Sequence, residues 1–412
     1  MSSFPYALDQ TFRNPSNLFR PQSNFRELTK PLNKNVKPPE REVFYYLTQQ
    51  KMKYFLFPVQ IDPTKPLNPS HIRHLLYVDF LYKMRKACNV DVDYLYNRLA
   101  FDVDNQVIKL GEYLRGRENS DLSDGISVGK AYIEMSSRNY SISEERMQTR
   151  RQELESSLAG HEYYKYILPE WKSQYKLLGM YDPGLYTPEK FLITHEELLR
   201  ELKKLDVVLD ARSSDGNIYL DFSNYGLRLR KISSANVFGY NYMFIALRRL
   251  VPVVNPGDMM ELVFDPECTS DFLTIGRVLE KLGCTVICRP TARVAIQGKV
   301  ASARKGGWEG HTLTDIVRQF EPRYTPEIIS LGLRLYLLVY NSQKVVLNFS
   351  YDELQKSINK AVRIQEEYGT CDVTELASLE EQSKNPELIS SMQVWYRTLK
   401  PKARINSNVK FL

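Results

Sequence analysis

The stretch over residues 261–288 constrains the fold more than any other. Glu261-Leu262-Val263-Phe264 reads as a strand and stops at Asp265-Pro266, because proline cannot donate to a ladder. From Thr269 onward, Phe272, Ile275, Val278, Leu279 and Leu282 recur at helical spacing, with Thr269 or Ser270 placed as N-cap and Gly283 as C-cap. Cys284-Thr285-Val286-Ile287-Cys288 is then a further strand. Strand, helix and strand in this order imply parallel pairing through a right-handed crossover. Just upstream, the apolar run 242–247 reads as another buried strand, and Asn255-Pro256-Gly257-Asp258 has the residues of a turn.

Around this unit the pattern is mostly helical. Ile72, Leu75, Leu76, Phe80 and Met84 make a helical stripe after a Pro66-Asn68-Pro69-Ser70 turn, with Ser70 as the expected N-cap. Thr194 and Glu197 spell a capping box for a helix over 196–205, and Ser350 with Glu353 spells another for a helix ending at Gly369. Strands are expected at 207–209, 218–220, 226–230 and 345–349, and a buried helix over 328–340. The expected class is α+β, helix-rich with a small mixed sheet in the central region. The expected division is an extended N-terminal arm over 1–41, a mainly helical region over 42–182, an α/β region over 183–326 and a helical C-terminal region with a basic tail over 327–412.

The 412 residues are 43% hydrophobic and 25% charged, which suits a folded chain, and no apolar run is long enough for a membrane helix. Met1-Ser2-Ser3-Phe4-Pro5 does not begin a secretory signal. The five cysteines are odd in number and scattered, as expected in a reducing interior. The net charge of +7 is unevenly placed: the first 60 residues, the segment 211–256 and the last 19 residues all carry an excess of Lys and Arg. That placement suggests an anionic partner or, at the ends, solubilising tails.

Few residues spell chemistry. There is no P-loop, His-Glu-x-x-His, kinase set or Gly-x-Ser-x-Gly, so neither a catalytic group nor a cofactor is expected. His71 and His74 have a spacing that could grip a metal, but no second pair accompanies them and no metal is expected. Asp206, Asp210 and Asp221, on expected strands, leave open a nuclease or nucleotidyltransferase. Gly306, Gly307 and Gly310 surround Trp308, giving either a packed turn or a loop that meets a partner or phosphate. The dense tyrosines from Tyr163 to Tyr186 suit core and protein contact, or base stacking. The repeat Phe12-Arg13, Phe19-Arg20, Phe25-Arg26 suggests an arm that orders along a partner or ties to its own core. Arg228, Arg230 and Lys231, with Arg248 and Arg249 at the end of the neighbouring expected strand, form a basic stripe that is the RNA-binding candidate.

The order of Phe244–Leu247, Pro256-Gly257, Leu262–Pro266, the 271–282 helix, Cys284 to Cys288 and Gly307-Trp308-Glu309-Gly310 resembles the inner-capsid clamp protein of turreted reoviruses, the sigma-two type. This resemblance covers about a fifth of the chain. It implies a non-enzymatic clamp in the virion inner capsid, assembled in the host cytoplasm, that bridges a large capsid shell protein and contacts the turret protein, with nonspecific RNA binding and no membrane. The alternative expectation is a sequence-independent RNA-binding nucleoprotein.

Overall fold

The computed structural model describes residues 52–87, 90–117, 122–234, 237–238, 242–300, 307–339 and 346–376. The chain divides into a unit at Met1–Lys51 and a compact unit at Met52–Leu412. The Phe-Arg arm of Phe12, Arg13, Phe19, Arg20, Phe25 and Arg26, the basic C-terminal tail and Cys88 fall outside the described residues.

The second unit is built on a four-stranded parallel sheet. Strand β1 (Tyr54–Pro58) leads through helix α1 (Pro69–Ala87) to β2 (Val92–Tyr94). Much later in the chain come β7 (Met259–Phe264), a helix over Thr269–Lys281 and β8 (Thr285–Pro290), and the sheet order is β2-β1-β7-β8. Tyr54 pairs with Met259 and Pro58 with Val263, so β1 and β7 run side by side. Both are buried along their whole length, which explains why neither shows the alternation of a half-exposed strand. The two crossovers run in opposite directions along the sheet, and right-handed crossovers of that kind put their helices on opposite faces. The side chains agree: Phe57 and Phe264 meet Phe272 of the second crossover helix, with ring centroids 6.1 and 4.8 Å apart. On the other face Arg85 of α1 comes within 3.7 Å of Glu261.

Glu261 is fully buried in β7, a position that only a partnered carboxylate can hold. The Tyr54 hydroxyl and the Arg289 guanidinium both donate to it. The three groups tie β1, β7 and β8 together across the α1 face.

The rest of the chain follows as helices α2 (Arg98–Asp102), α3 (Asn105–Arg115), α4 (Gly125–Ser137), α5 (Glu144–Ser157), α6 (Tyr164–Leu177) and α7 (His195–Lys204). An antiparallel sheet of β3 (Val208–Ala211), β4 (Asn217–Leu220), β5 (Arg230–Ser234) and β6 (Val237–Phe238) precedes α8 (Tyr242–Leu250), and the crossover helix over Thr269–Lys281 is α9. Strand β9 (Arg293–Ile296) pairs with both β10 (Lys299–Val300) and β11 (Val346–Asn348); helices α10 (Leu313–Phe320), α11 (Pro326–Arg334) and α12 (Tyr351–Tyr368) complete the unit. One core gathers α1, α3, α4, α6 and α10 to α12. A second gathers α7, α8, α9 and the opposite face of the sheet. The protein is therefore helix-rich α+β.

Several local expectations change, among them the strand expected at 226–230, which instead runs over Arg230–Ser234 as β5. Residues 242–247 are not a strand but the start of α8, because the run continues to Leu250 and Met243, Phe244, Leu247 and Leu250 share one buried face. A short apolar run has no period of its own to tell the two apart. β1 has no counterpart among the strands expected from the sequence. The N-cap of α1 is Asn68 rather than Ser70: its Oδ1 accepts the backbone N–H of His71 at 3.1 Å, and Pro69 occupies the first helical position.

Candidate active site at the carboxyl edge of the parallel sheet

Neighbouring strands β1 and β7 send their chains away in opposite directions, and in open α/β sheets that switch point opens a crevice beyond the strand ends, where ligands bind. Here the ladder persists one residue past β1, with Val59 N–H bonded to the Val263 carbonyl at 2.6 Å. Beyond that the chain turns into the loop 60–68 and enters α1, whose positive end starts at the crevice.

His74, one turn into α1, joins three strand ends. Its Nε2 donates to the Val59 carbonyl at 3.1 Å, and its Nδ1 is 3.2 Å from the Thr291 hydroxyl. Thr291 follows β8 and also bonds the Phe264 carbonyl through its N–H at 2.7 Å. Burial pushes His74 down to about 4, so the ring is neutral at physiological pH and its hydrogen bonds are those of one fixed tautomer. His71 is different. It is also held well below the usual range, by burial first and then by Lys65 and His74, yet its enclosed Nδ1 has no hydrogen-bond partner. An enclosed ring nitrogen without a partner is where a ligand can complete the bonding.

The walls of the crevice are fixed from several sides. Ser70 hydroxyl donates to the Val294 carbonyl and accepts the Val294 N–H, both at 3.1 Å, which clamps the first turn of α1 to β9. Asp265, at the end of β7, takes Arg293 at 3.0 Å through both oxygens. The loop 60–68 is held by Trp171, whose indole N–H donates to the Lys65 carbonyl at 3.1 Å, and by Leu313, whose N–H reaches the Leu67 carbonyl at 2.9 Å. Within this loop the Asp62 carboxyl is raised well above the usual range, by burial and then by the charge of Asp104. Lys65 acts in the opposite sense and lowers it in part.

Trp308 belongs to the support of this loop. It is 1% exposed, and a methyl group on Gly129 of α4 would come within 2.6 Å of its ring and 3.1 Å of Pro66. Gly307 is exposed, and Gly310 takes φ +73°, a conformation that favours glycine.

The basic residues of the expected stripe go to different places. Arg228 is exposed ahead of β5, Lys231 is exposed on β5, and Arg230 pairs with Asp271. Arg248 and Arg249 are in the last turn of α8 and not on a strand. Arg248 is buried, with Glu155 at 3.0 and 3.2 Å, the Ile193 carbonyl at 3.1 Å and the Phe191 ring at 4.0 Å. Arg249 pairs with Glu189 at 2.6 Å. Asp210 is engaged by Arg212 at 2.7 Å, Asp221 accepts the Ser223 N–H at 2.8 Å, and Asp206 is in a turn with φ +53°. Among the described residues no three His, Cys, Asp or Glu side chains gather as metal ligands, and no helix is long and apolar enough to cross a membrane.

No protein-family model and no curated protein matches the sequence. Solved structures do match the fold. An arginyl-tRNA synthetase from Thermus thermophilus superposes with a TM-score of 0.52 at 13% identity, over 89% of this chain and 78% of that one. A putative arginyl-tRNA synthetase from Campylobacter jejuni gives 0.50 at 15% identity, over 85% of this chain and 82% of that one. At these identities the likeness is one of fold alone. This overturns the resemblance to a capsid clamp and, with it, the expected shell and turret partners, the virion location and the nucleoprotein alternative. The short motifs behind that resemblance, Pro256-Gly257, Leu262–Pro266 and Cys284 to Cys288, are parts of a parallel βαβ unit that serves a doubly wound sheet equally well. The expectation of a non-enzymatic protein is corrected as well, since the proteins sharing the fold carry the names of enzymes.

Proposed function

We propose that the chain is an aminoacyl-tRNA-synthetase-like ligase that holds a nucleotide in the crevice between β1 and β7 and joins an amino acid to tRNA. The observation that carries this reading is the start of α1 at the switch point, where neutral His71 offers an unpartnered nitrogen beside a fully bonded His74. Ester formation from a free carboxylate is uphill in water, so a ligase of this kind must first activate the carboxyl group at the expense of a nucleoside triphosphate. His71 contacts that nucleotide, and a neutral imidazole can do so without a buried charge being left when the site is empty. His74 positions, since both its nitrogens are committed to strand ends. Arginine is the amino acid to test first, because the solved structures that share the fold include arginyl-tRNA synthetases.

The test is arginylation of total tRNA by the purified full chain with ATP and labelled arginine. Label should enter tRNA, and His71→Asn should cut the rate at least tenfold with little change in melting temperature. Absence of label in tRNA together with absence of ATP binding by the wild-type protein would remove this reading.

A further inference from the structure

A second cavity opens elsewhere, between the end of α3, the first half of α4 and the chain entering α6. Its volume is about 1010 Å³, at the upper end for small-molecule sites, and it is open to solvent. Arg115, Arg117, Lys130 and Lys165 line it against a single acidic side chain, Glu162. Arg115 is held by Glu112 at 3.0 Å, and Arg117 pairs with Glu134 while covering the Tyr113 ring at 4.8 Å. Lys130 and Lys165 are exposed and have no ion pair among the described residues. Lys165 instead sits 4.9 Å from the centroid of half-buried Tyr166, another lining residue.

The floor is rigid. His161 Nε2 donates to the Asp102 carbonyl at 2.9 Å, and its ring lies so near Gly111 that a methyl group there would come within 2.3 Å of it. An open cleft with two ammonium groups that make no ion pair among the described residues, one of them beside an aromatic ring, matches a strand of nucleic acid, whose phosphates pair with lysine and whose bases stack on aromatic rings. A compact metabolite would leave most of the volume to water.

We propose that this cleft holds a strand of the tRNA substrate, with Lys130 and Lys165 on phosphates and Tyr166 against a base. The proposal rests on the ligase reading for the identity of the RNA, and on the cleft alone for its binding. The experiment measures the affinity of the full chain for labelled tRNA by fluorescence anisotropy across a series of salt concentrations, alongside binding of an ATP analogue. In Lys130→Ala/Lys165→Ala the tRNA Kd should rise roughly tenfold and the salt slope should fall by about 1.5, as expected for two lost phosphate contacts. ATP-analogue binding should stay unchanged, and Lys130→Arg/Lys165→Arg should retain most of the tRNA affinity. An unchanged tRNA Kd and slope in the alanine variant would overturn the proposal. So would displacement of a bound acidic peptide, rather than RNA, as the only lysine-dependent event. Lysine-dependent tRNA binding without any ATP binding or arginylation would support the cleft and overturn the ligase reading instead.

Discussion

At the residue scale, the site depends on side chains whose neutrality or fit has no substitute. Gly129 is such a position, because a Cβ there meets the Trp308 ring at 2.6 Å and the indole is enclosed on all sides. Gly129→Ala should destabilise the protein by about 1–3 kcal/mol, as overpacking of a filled core does. Trp308→Ala should cost roughly 3–5 kcal/mol and loosen the loop 60–68, which chemical denaturation would measure. A midpoint unchanged by either substitution would show that the loop is held without the tryptophan. His71 and His74 separate two roles that look alike in the sequence. His74→Ala removes bonds to Val59 and Thr291 and should lower the melting temperature; His71→Asn should leave it nearly unchanged while weakening the ligand.

At the element scale, α1 has to begin at the right place for either histidine to reach the crevice. Asn68→Ala removes the cap and should cost about 1 kcal/mol, with a larger effect on ligand affinity than the same loss at Thr194 of α7, which is far along the chain from the crevice residues. Equal effects on affinity would mean that the start of α1 does not position the site. What the sequence made legible follows element by element. The βαβ unit from β7 to β8 could be read because Asp265-Pro266 and Gly283 punctuate it and α9 keeps a clean helical period. β1 could not, because all five of its residues are buried and a fully buried strand carries no alternation. α8 is ambiguous for a related reason: six apolar residues fit either element, and only Arg248, Arg249 and Leu250 reveal the longer helix. At the site, the pair His71 and His74 stood out by spacing, but its meaning lay in Thr291, 217 residues away. No local pattern announces such a partner.

At the scale of the whole molecule, the buried histidines couple folding to pH. Burial lowers both His74 and His161 to about 4, whereas an unfolded chain takes up those protons near 6.5. Their folded pKa values are depressed, so the stability they contribute is present above about pH 6.5 and is lost as pH falls toward 4. Each accounts for about 3 kcal/mol across that window. Asp102 acts in the opposite sense: burial raises it to about 6, and the folded state gains from its protonation below that pH. His71 and His195 are lowered in the same way, and Asp62, Asp104 and Glu170 are raised like Asp102, so the testable quantity is a difference: His161→Gln should lose stability less steeply than the wild type from pH 6.5 to 4. Equal slopes in the two proteins would contradict the buried neutral state of the His161 ring.

The central claim is that the carboxyl edge of the parallel sheet, at the switch between β1 and β7, is where the nucleotide binds. Hydrogen–deuterium exchange of the full chain with and without a non-hydrolysable ATP analogue tests it most directly, because the elements involved are far apart in sequence and meet only there. Exchange should slow in residues 60–72, 265–268 and 291–293 together, and stay unchanged in the β3–β4 hairpin. No slowing in those three segments, or slowing confined to the cleft between α3, α4 and α6, would contradict the account.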